Sequence, residues 1–295
     1  MRVFVTGASG IMGSAIIPDL IAHGHSVVGV GRNDASAAEI KTMGAEVFRG
    51  SLEDPEGLAR GAAAADGVIH LAFNHDFSRF AENGADDKRA IEAMGEALAG
   101  TGKPMVVTSG TALLSPGRVA TEDDEAAAFG PRISEAAAKA FVANGVRAMA
   151  VRLPPSTHGD SARGFRAGLT TQLIAIARDK GVSAYVGEGA NRWSASHRLD
   201  AAPVYRLALE KGRAGRSYHP IAEEGVSLRD TAEALGERLG LPVRSLPPET
   251  AGEHFGFLAM FITADVPASS ALTRAELGWT AAHPGLIEDL KAASY

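Results

Sequence analysis

Short apolar runs and amphipathic stretches take turns along the first half of the chain. Residues 3–6 form an apolar run without polar alternation, the pattern of a strand buried on both faces. Residues 11–22 follow a helical period, with Ile16, Leu20 and Ile21 on one stripe, and Gly24 ends them. Further strands are predicted at 26–30, 46–49, 67–71, 104–108 and 147–153. Helices are predicted at 35–43, 55–65, 86–99 and 134–144, with Pro55 well placed near the start of its helix. This alternation predicts an α/β fold, a doubly wound parallel sheet with helices on both faces.

Beyond Pro154 the rhythm breaks. Gly, Pro and polar residues become frequent through 159–196, and helices reappear at 201–211 and 228–239. The tail 269–290 holds a short apolar helix and the sequence Leu277-Gly278-Trp279. We read residues 1–155 as the sheet core. Residues 156–295 are then mainly a smaller C-terminal α/β lobe over the sheet's C-terminal edge, with some elements returning to the core.

Length and composition narrow the function. A chain of 295 residues buries a sizeable core. Its net charge of −6 argues against nucleic acid or an anionic membrane as the main partner, since both need a basic face. The absence of cysteine removes disulfides, thiolate nucleophiles and cysteine metal sites. His23-Gly24-His25 alone is a weak ligand signal and there is no His-Glu-x-x-His stretch, so no metal site is expected. No Gly-x-Ser-x-Gly elbow of a serine hydrolase is present. The first residues lack the charged head and apolar run of a signal peptide, and no segment has the ~18 apolar residues of a membrane helix. A soluble cytoplasmic protein with a small-molecule substrate is the expectation.

The chemistry is concentrated in the turn after the first strand, Thr6-Gly7-Ala8-Ser9-Gly10-Ile11-Met12-Gly13. Glycines in a strand–turn–helix setting make the tight turn, admit a pyrophosphate to the backbone and let the helix pack on the strand. The helix start then offers free N–H groups and a positive dipole end to the phosphates. A nicotinamide dinucleotide on a Rossmann-type core is the reading. At the end of the second strand, NAD sites usually carry a carboxylate for the ribose hydroxyls. Here Gly31, Arg32 and Asn33 stand instead, and Arg32 suits a 2′-phosphate, so NADP (as NADPH) is expected over NAD.

The spacing Thr-Gly-x-x-Gly-x-x-Gly resembles the short-chain dehydrogenase/reductase superfamily, in its extended or atypical, epimerase/dehydratase-like branch. By that resemblance, Gly50-Ser51-Leu52-Glu53-Asp54 is the adenine-contacting segment, with Ser51 where an Asp is common. Val68-Ile69-His70-Leu71-Ala72 lines the cofactor through Leu71 and Ala72. Arg152-Leu153-Pro154-Pro155-Ser156 lies beside the nicotinamide, and Val107-Thr108-Ser109-Gly110-Thr111 carries the active-site hydroxyls. His197-Arg198-Leu199-Asp200-Ala201-Ala202 and Ala275-Glu276-Leu277-Gly278-Trp279 resemble the extended branch's C-terminal lobe. Extended members often dimerise through the helices after the fourth and fifth strands, which implies a homodimer through 86–99 and 134–144. The family's Tyr-x-x-x-Lys pair is missing: Pro131 falls at the Tyr position and Glu135 at the Lys position.

Without that tyrosine another group must serve the reacting oxygen. Ser109 and Thr111 hold the position of the substrate-bonding hydroxyls, or are ordinary strand-end residues bonded to backbone. His75, in the polar loop Phe73-Asn74-His75-Asp76-Phe77-Ser78-Arg79, titrates near neutrality and has Asp76 beside it. His158, after the double proline, and Tyr185 are further donors, each with a structural alternative. His254 has no motif behind it. Phe255, Phe257, Met260 and Phe261 form either an apolar substrate wall or lobe core. The leading expectation is an NADP-dependent oxidoreductase passing hydride to or from a small carbonyl, imine or activated alkene. A cofactor-retaining epimerase or dehydratase and a non-catalytic dinucleotide-sensing regulator are the alternatives.

Overall fold

A computed structural model describes residues 1–76, 79–114, 117–126, 132–159 and 168–292. Phe77, Ser78 and Pro131 lie outside them. Seven parallel strands form the central sheet: β1 (Arg2–Thr6), β2 (Ser26–Gly31), β3 (Glu46–Arg49), β4 (Gly67–His70), β5 (Pro104–Gly110), β6 (Arg147–Leu153) and, from far along the chain, β10 (Ser217–Tyr218). Their spatial order is β10-β6-β5-β4-β1-β2-β3. The chain winds outward from β1 to β3, then crosses back to β4 on the other side of β1. That reversal opens a crevice at the C-terminal ends of β1 and β4, where ligands of such sheets bind.

Side chains alternate across the sheet and build two cores. Val3 and Val5 of β1 face α1 (Gly13–Ala22), α2 (Asp34–Thr42) and α7 (Arg198–Lys211) through Ile16, Leu20, Ile40, Val204 and Ala208. Phe4 points the other way, towards α3 (Pro55–Ala63), α4 (Phe80–Leu98) and α5 (Ser134–Lys139) through Leu58, Ile91, Met94 and Ala138. Burying strands on both faces is what the unbroken apolar runs require. Helix starts are fixed by their sequence: Asn33 and Ser36 form a capping box on α2, and the Asp54 side chain accepts from Gly57 N (2.9 Å) ahead of Pro55.

A third core belongs to the later chain. It gathers α6 (Leu169–Lys180), α8 (Leu228–Leu239), α9 (Ala251–Phe255), α10 (Ala259–Ile262) and α12 (Leu286–Ala292). A parallel pair, β8 (Ser183–Val186) with β12 (Val243–Leu246), and a three-stranded sheet complete it. The latter has the order β11-β9-β7, with β7 (Ser156–His158), β9 (Arg192–His197) and β11 (Glu223–Ser227). α11 (Ala271–Leu277) instead joins the central sheet's first core, with Leu277 and Trp279. Among the described residues no helix is long and apolar enough to cross a membrane.

Some elements differ from expectation. α4 begins six residues before 86, because the Asn83 side chain donates to Asp76 O (2.7 Å) and anchors the added turns. The helix from Ser134 becomes 3-10 after Lys139 and stops at Gly145, which is left-handed (φ 77°). β5 runs on to Gly110, so Ser109 sits within a strand. The glycine-rich stretch holds α6, β8 and β9, and the tail holds two helices rather than one.

Candidate active site

The turn from β1 to α1 can be made only by glycine at two places. Gly7 is left-handed (φ 65°), and a Cβ there would stand 2.8 Å from Ala72 N at the end of β4. At Gly13 a Cβ would meet Ala8 O at 2.3 Å and Gly7 O at 2.5 Å. Ser9, Gly10 and Ile11 remain accessible above this packed base, while Met12 is buried beneath. No side chain caps the start of α1; Ser14 N and Ala15 N donate to Gly10 O and Met12 O, and among the described residues the N–H groups of Ile11, Met12 and Gly13 are left to an anion. These residues fit a dinucleotide pyrophosphate. From the far half of the chain, Arg198 Nη1 donates to Ile11 O and Ser14 Oγ, both at 3.2 Å, and pins the turn.

Beneath the turn runs a buried polar chain. Thr6 Oγ1 accepts from Leu71 N and Ala72 N (3.2 Å each) and so gives its own proton to His70 Nδ1 (2.8 Å). That hydrogen-bond pattern assigns the His70 proton to Nε2, which donates to Asp87 Oδ1 (3.1 Å). Asp87 Oδ2 accepts from Ser134 Oγ (2.5 Å), and Ser134 Oγ accepts from Arg132 Nε (3.2 Å). Burial alone would raise the Asp87 pKa; the His70 bond, the Arg132 charge and Ser134 outweigh it and hold the carboxyl below its ordinary value.

Arg132 closes this chain at the sheet's C-terminal edge. Its Nη2 donates to Thr108 O (3.2 Å), and its guanidinium carbon stands 4.0 Å from the centre of the Phe73 ring. His75 lies at the loop surface with its ring edge-on to Phe73 (5.3 Å). Local desolvation, then the Arg132 charge, lower its pKa below the usual imidazole value. Ser109 is buried next in line on β5. Thr111 turns to the later chain: its hydroxyl lies 3.2 Å from Ser194 Oγ of β9. Behind it, Thr108 Oγ1 bonds His70 O and the Tyr205 hydroxyl (3.0 Å each), and burial drives the Tyr205 pKa far up.

Glu135, at the position of the family's lysine, faces another partner. Arg152 grips it with two bonds (2.8 and 2.7 Å), while Lys139 Nζ (2.7 Å) and Ser217 Oγ (2.8 Å) donate to its Oε1. Burial opposes ionisation, yet the Arg152 bond and charge with Lys139 bring its pKa down to about 2. Glu135 is thus the anion of a buried structural network joining α5, β6 and β10.

The other predicted site residues scatter. Arg32 is exposed at the end of β2, and pairs with no carboxylate among the described residues. Ser51 and Leu52 lie half-buried after β3. Pro154, Pro155 and Ser156 are buried, and the Ser156 hydroxyl accepts from Thr170 Oγ1 (3.2 Å). His158 has no exposed surface; its Nδ1 bonds Asp289 Oδ2 (2.8 Å) and its ring meets His197 edge-on, an arrangement that ties the last helix in place. Tyr185 sits in β8, against Gly189 and below Arg229. Phe255 is lobe core, while Phe257 and Met260 are exposed. Sequence reasoning passed over Asp87, Ser134 and Arg132. The signal was available for Asp87, which continues the buried face of α4 one turn before Ala90 and Ile91.

The chain shares its fold and motifs with known proteins. An uncharacterized protein of Saccharomyces cerevisiae is 46% identical over 99% of this chain and 98% of its own length. An uncharacterized protein of Schizosaccharomyces pombe is 46% identical over the whole of both. Among solved structures, dTDP-glucose 4,6-dehydratase from Streptomyces venezuelae with NAD bound superposes with a TM-score of 0.77 at 19% identity, over 99% of this chain and 96% of that one. The family model of the NAD dependent epimerase/dehydratase family matches residues 3–221. With its glycine turn, its switch-point crevice and this match over most of its length, the chain belongs to the NAD dependent epimerase/dehydratase family and is an NAD(P)-dependent enzyme of the extended short-chain dehydrogenase/reductase type.

Proposed function

We propose that this enzyme is an NADP-dependent reductase of a small carbonyl, imine or activated alkene. The observation that carries the reading is the junction of the open glycine turn with the ends of β4 and β5, where His75 and Ser109 stand without the family's tyrosine. Bound nicotinamide would supply or accept hydride there. The N–H groups of Ile11, Met12 and Gly13 would hold the pyrophosphate, Leu71 and Ala72 would flank it, and Pro154 and Pro155 would wall the nicotinamide side. Ser109 orients the substrate oxygen. His75 is largely neutral at pH 7 because its pKa is depressed, so it donates a hydrogen bond or relays a proton from solvent.

NADP is supported over NAD by the β2 end. Arg32 is exposed there beside the Asn33–Ser36 cap of α2, and the carboxylate of that first turn, Asp34, is paired with Arg49, which leaves the Arg32 charge for a 2′-phosphate. NADPH and NADH consumption with a panel of ketones, imines and enones tests both parts. NADPH-linked turnover is expected, with Arg32→Ala losing about tenfold in NADPH affinity, the scale of one charge-assisted contact. Equal Kd values for the two cofactors, unchanged in Arg32→Ala, would overturn the preference. Conversion of substrate without net cofactor change would favour an epimerase or dehydratase.

A further inference from the structure

We propose that Arg132 is the catalytic cation that receives the reacting oxygen of the substrate, in the place left by the missing tyrosine. The inference rests on the reductase reading above. Arg132 is held at three points, by Ser134 Oγ, by Thr108 O and by the Phe73 face, so its guanidinium is fixed before any ligand arrives. Those contacts use Nε and Nη2; Nη1 makes no hydrogen bond among the described residues, and the residue keeps some exposed surface although its guanidinium is largely enclosed, which lowers its pKa. Thr108 lies near the C-terminal end of β5 and Phe73 follows β4, so the guanidinium stands at that edge of the sheet, near enough to His75 for its charge to depress the imidazole pKa. It is also the far end of the chain that starts at Thr6 in the cofactor turn, through His70, Asp87 and Ser134.

The chemistry suits a guanidinium. When a carbonyl is reduced, hydride from the reduced nicotinamide forms the new C–H bond and the π pair moves to oxygen. That oxygen becomes an alkoxide and needs one proton to finish as the alcohol. An arginine keeps its protons near neutrality, so it stabilises the oxyanion by hydrogen bonding and charge. The proton comes from water or through His75. A preorganised cation in a half-buried site serves a developing anion better than solvent, because no reorganisation is needed as the charge forms.

Three measurements on the full chain test this, with Arg132→Met and Arg132→Lys. Thermal melts first confirm that each variant folds. NADPH Kd, read by fluorescence, is expected to stay within about threefold in both, since the residue serves substrate and not cofactor. On any carbonyl that the wild type reduces, kcat/KM is expected to fall about 100- to 1,000-fold in Arg132→Met and less in Arg132→Lys, which keeps the charge. Acetate, as an oxyanion probe, is expected to show saturation transfer by NMR from the NADP+-loaded wild type and not from Arg132→Met. Unchanged kcat/KM in Arg132→Met overturns the inference and leaves the reductase reading standing. A more than tenfold loss of NADPH affinity in Arg132→Met also overturns it, by making Arg132 a cofactor ligand. If the wild type reduces nothing, the reductase reading fails and the acetate measurement decides alone: binding that depends on Arg132 upholds the oxyanion site, and binding that does not removes it.

Discussion

Single residues in this protein are judged best by what they would leave behind. Removing Asp87 would strand His70 Nε2 and the Ser134 hydroxyl in a buried space, and loosen Arg132. Asp87→Ala is therefore expected to cost about 2–4 kcal/mol of stability, by urea unfolding at pH 7.5. Two histidines give the protein an acid limit. His219 donates from Nδ1 to Ser269 O (2.8 Å) and presents Nε2 to Arg152 Nη1 (3.3 Å), so a second proton would point at a guanidinium. Burial is the first cause of its depressed pKa, down to about 4, and His197 is likewise held to about 4 by burial and its histidine neighbours. Unfolded, both titrate near ~6.5, so between pH 6.5 and 4 the unfolded chain binds more protons. Stability is thus expected to fall as the pH drops through that window. Urea midpoints at pH 7.5 and 5 should show the fall, with a smaller difference in His219→Gln. The sequence made the glycines of the first turn legible, and it located Ser109 and Thr111 at the end of β5 without showing that the Thr111 hydroxyl meets Ser194. It could not show that Glu135 turns to Arg152 or that Arg132 turns to Thr108, because those choices depend on which residues the sheet brings together.

Among the elements, what decided legibility was how far each one's burial follows from its own pattern. Arg147–Leu153, buried on both faces, stands at the residues that its apolar run predicts, and the half-buried edge strand Glu46–Arg49 keeps its predicted bounds as well. α6 was missed because its buried face is only Thr170, Leu173, Ile174 and Ala177, and glycines crowd its flanks. At the first turn, element and function meet. Gly13→Ala drives a methyl group into two carbonyl oxygens, so either the turn or the helix start must shift. NADPH affinity is expected to drop more than about tenfold, because phosphate binding depends on those N–H groups being aimed together. Gly24→Ala is the control. Gly24 is also left-handed (φ 81°), but nothing stands within 4 Å of the added Cβ. It should cost about 1 kcal/mol of stability and leave the Kd alone.

For the whole molecule, order along the chain and order in space disagree. α7 covers the same face of the sheet as α1, with Val204, Tyr205 and Ala208 in one core with Ile16, Ile17 and Leu20. β10 pairs with β6 and closes that edge. A fragment of residues 1–155 would leave this apolar face and an unpaired strand edge in water. It is expected to be recovered largely aggregated, while the full chain gives a cooperative melt; a monomeric fragment with sharp amide NMR dispersion would contradict this. The same geometry has a consequence for biosynthesis. A ribosome delivers the nucleotide-binding strands first and the pieces that shield them last, so the nascent chain carries a raw sheet edge until Tyr218 has emerged. Translation speed and chaperone access over that interval, more than the final stability, would then set how much of the protein reaches its native form.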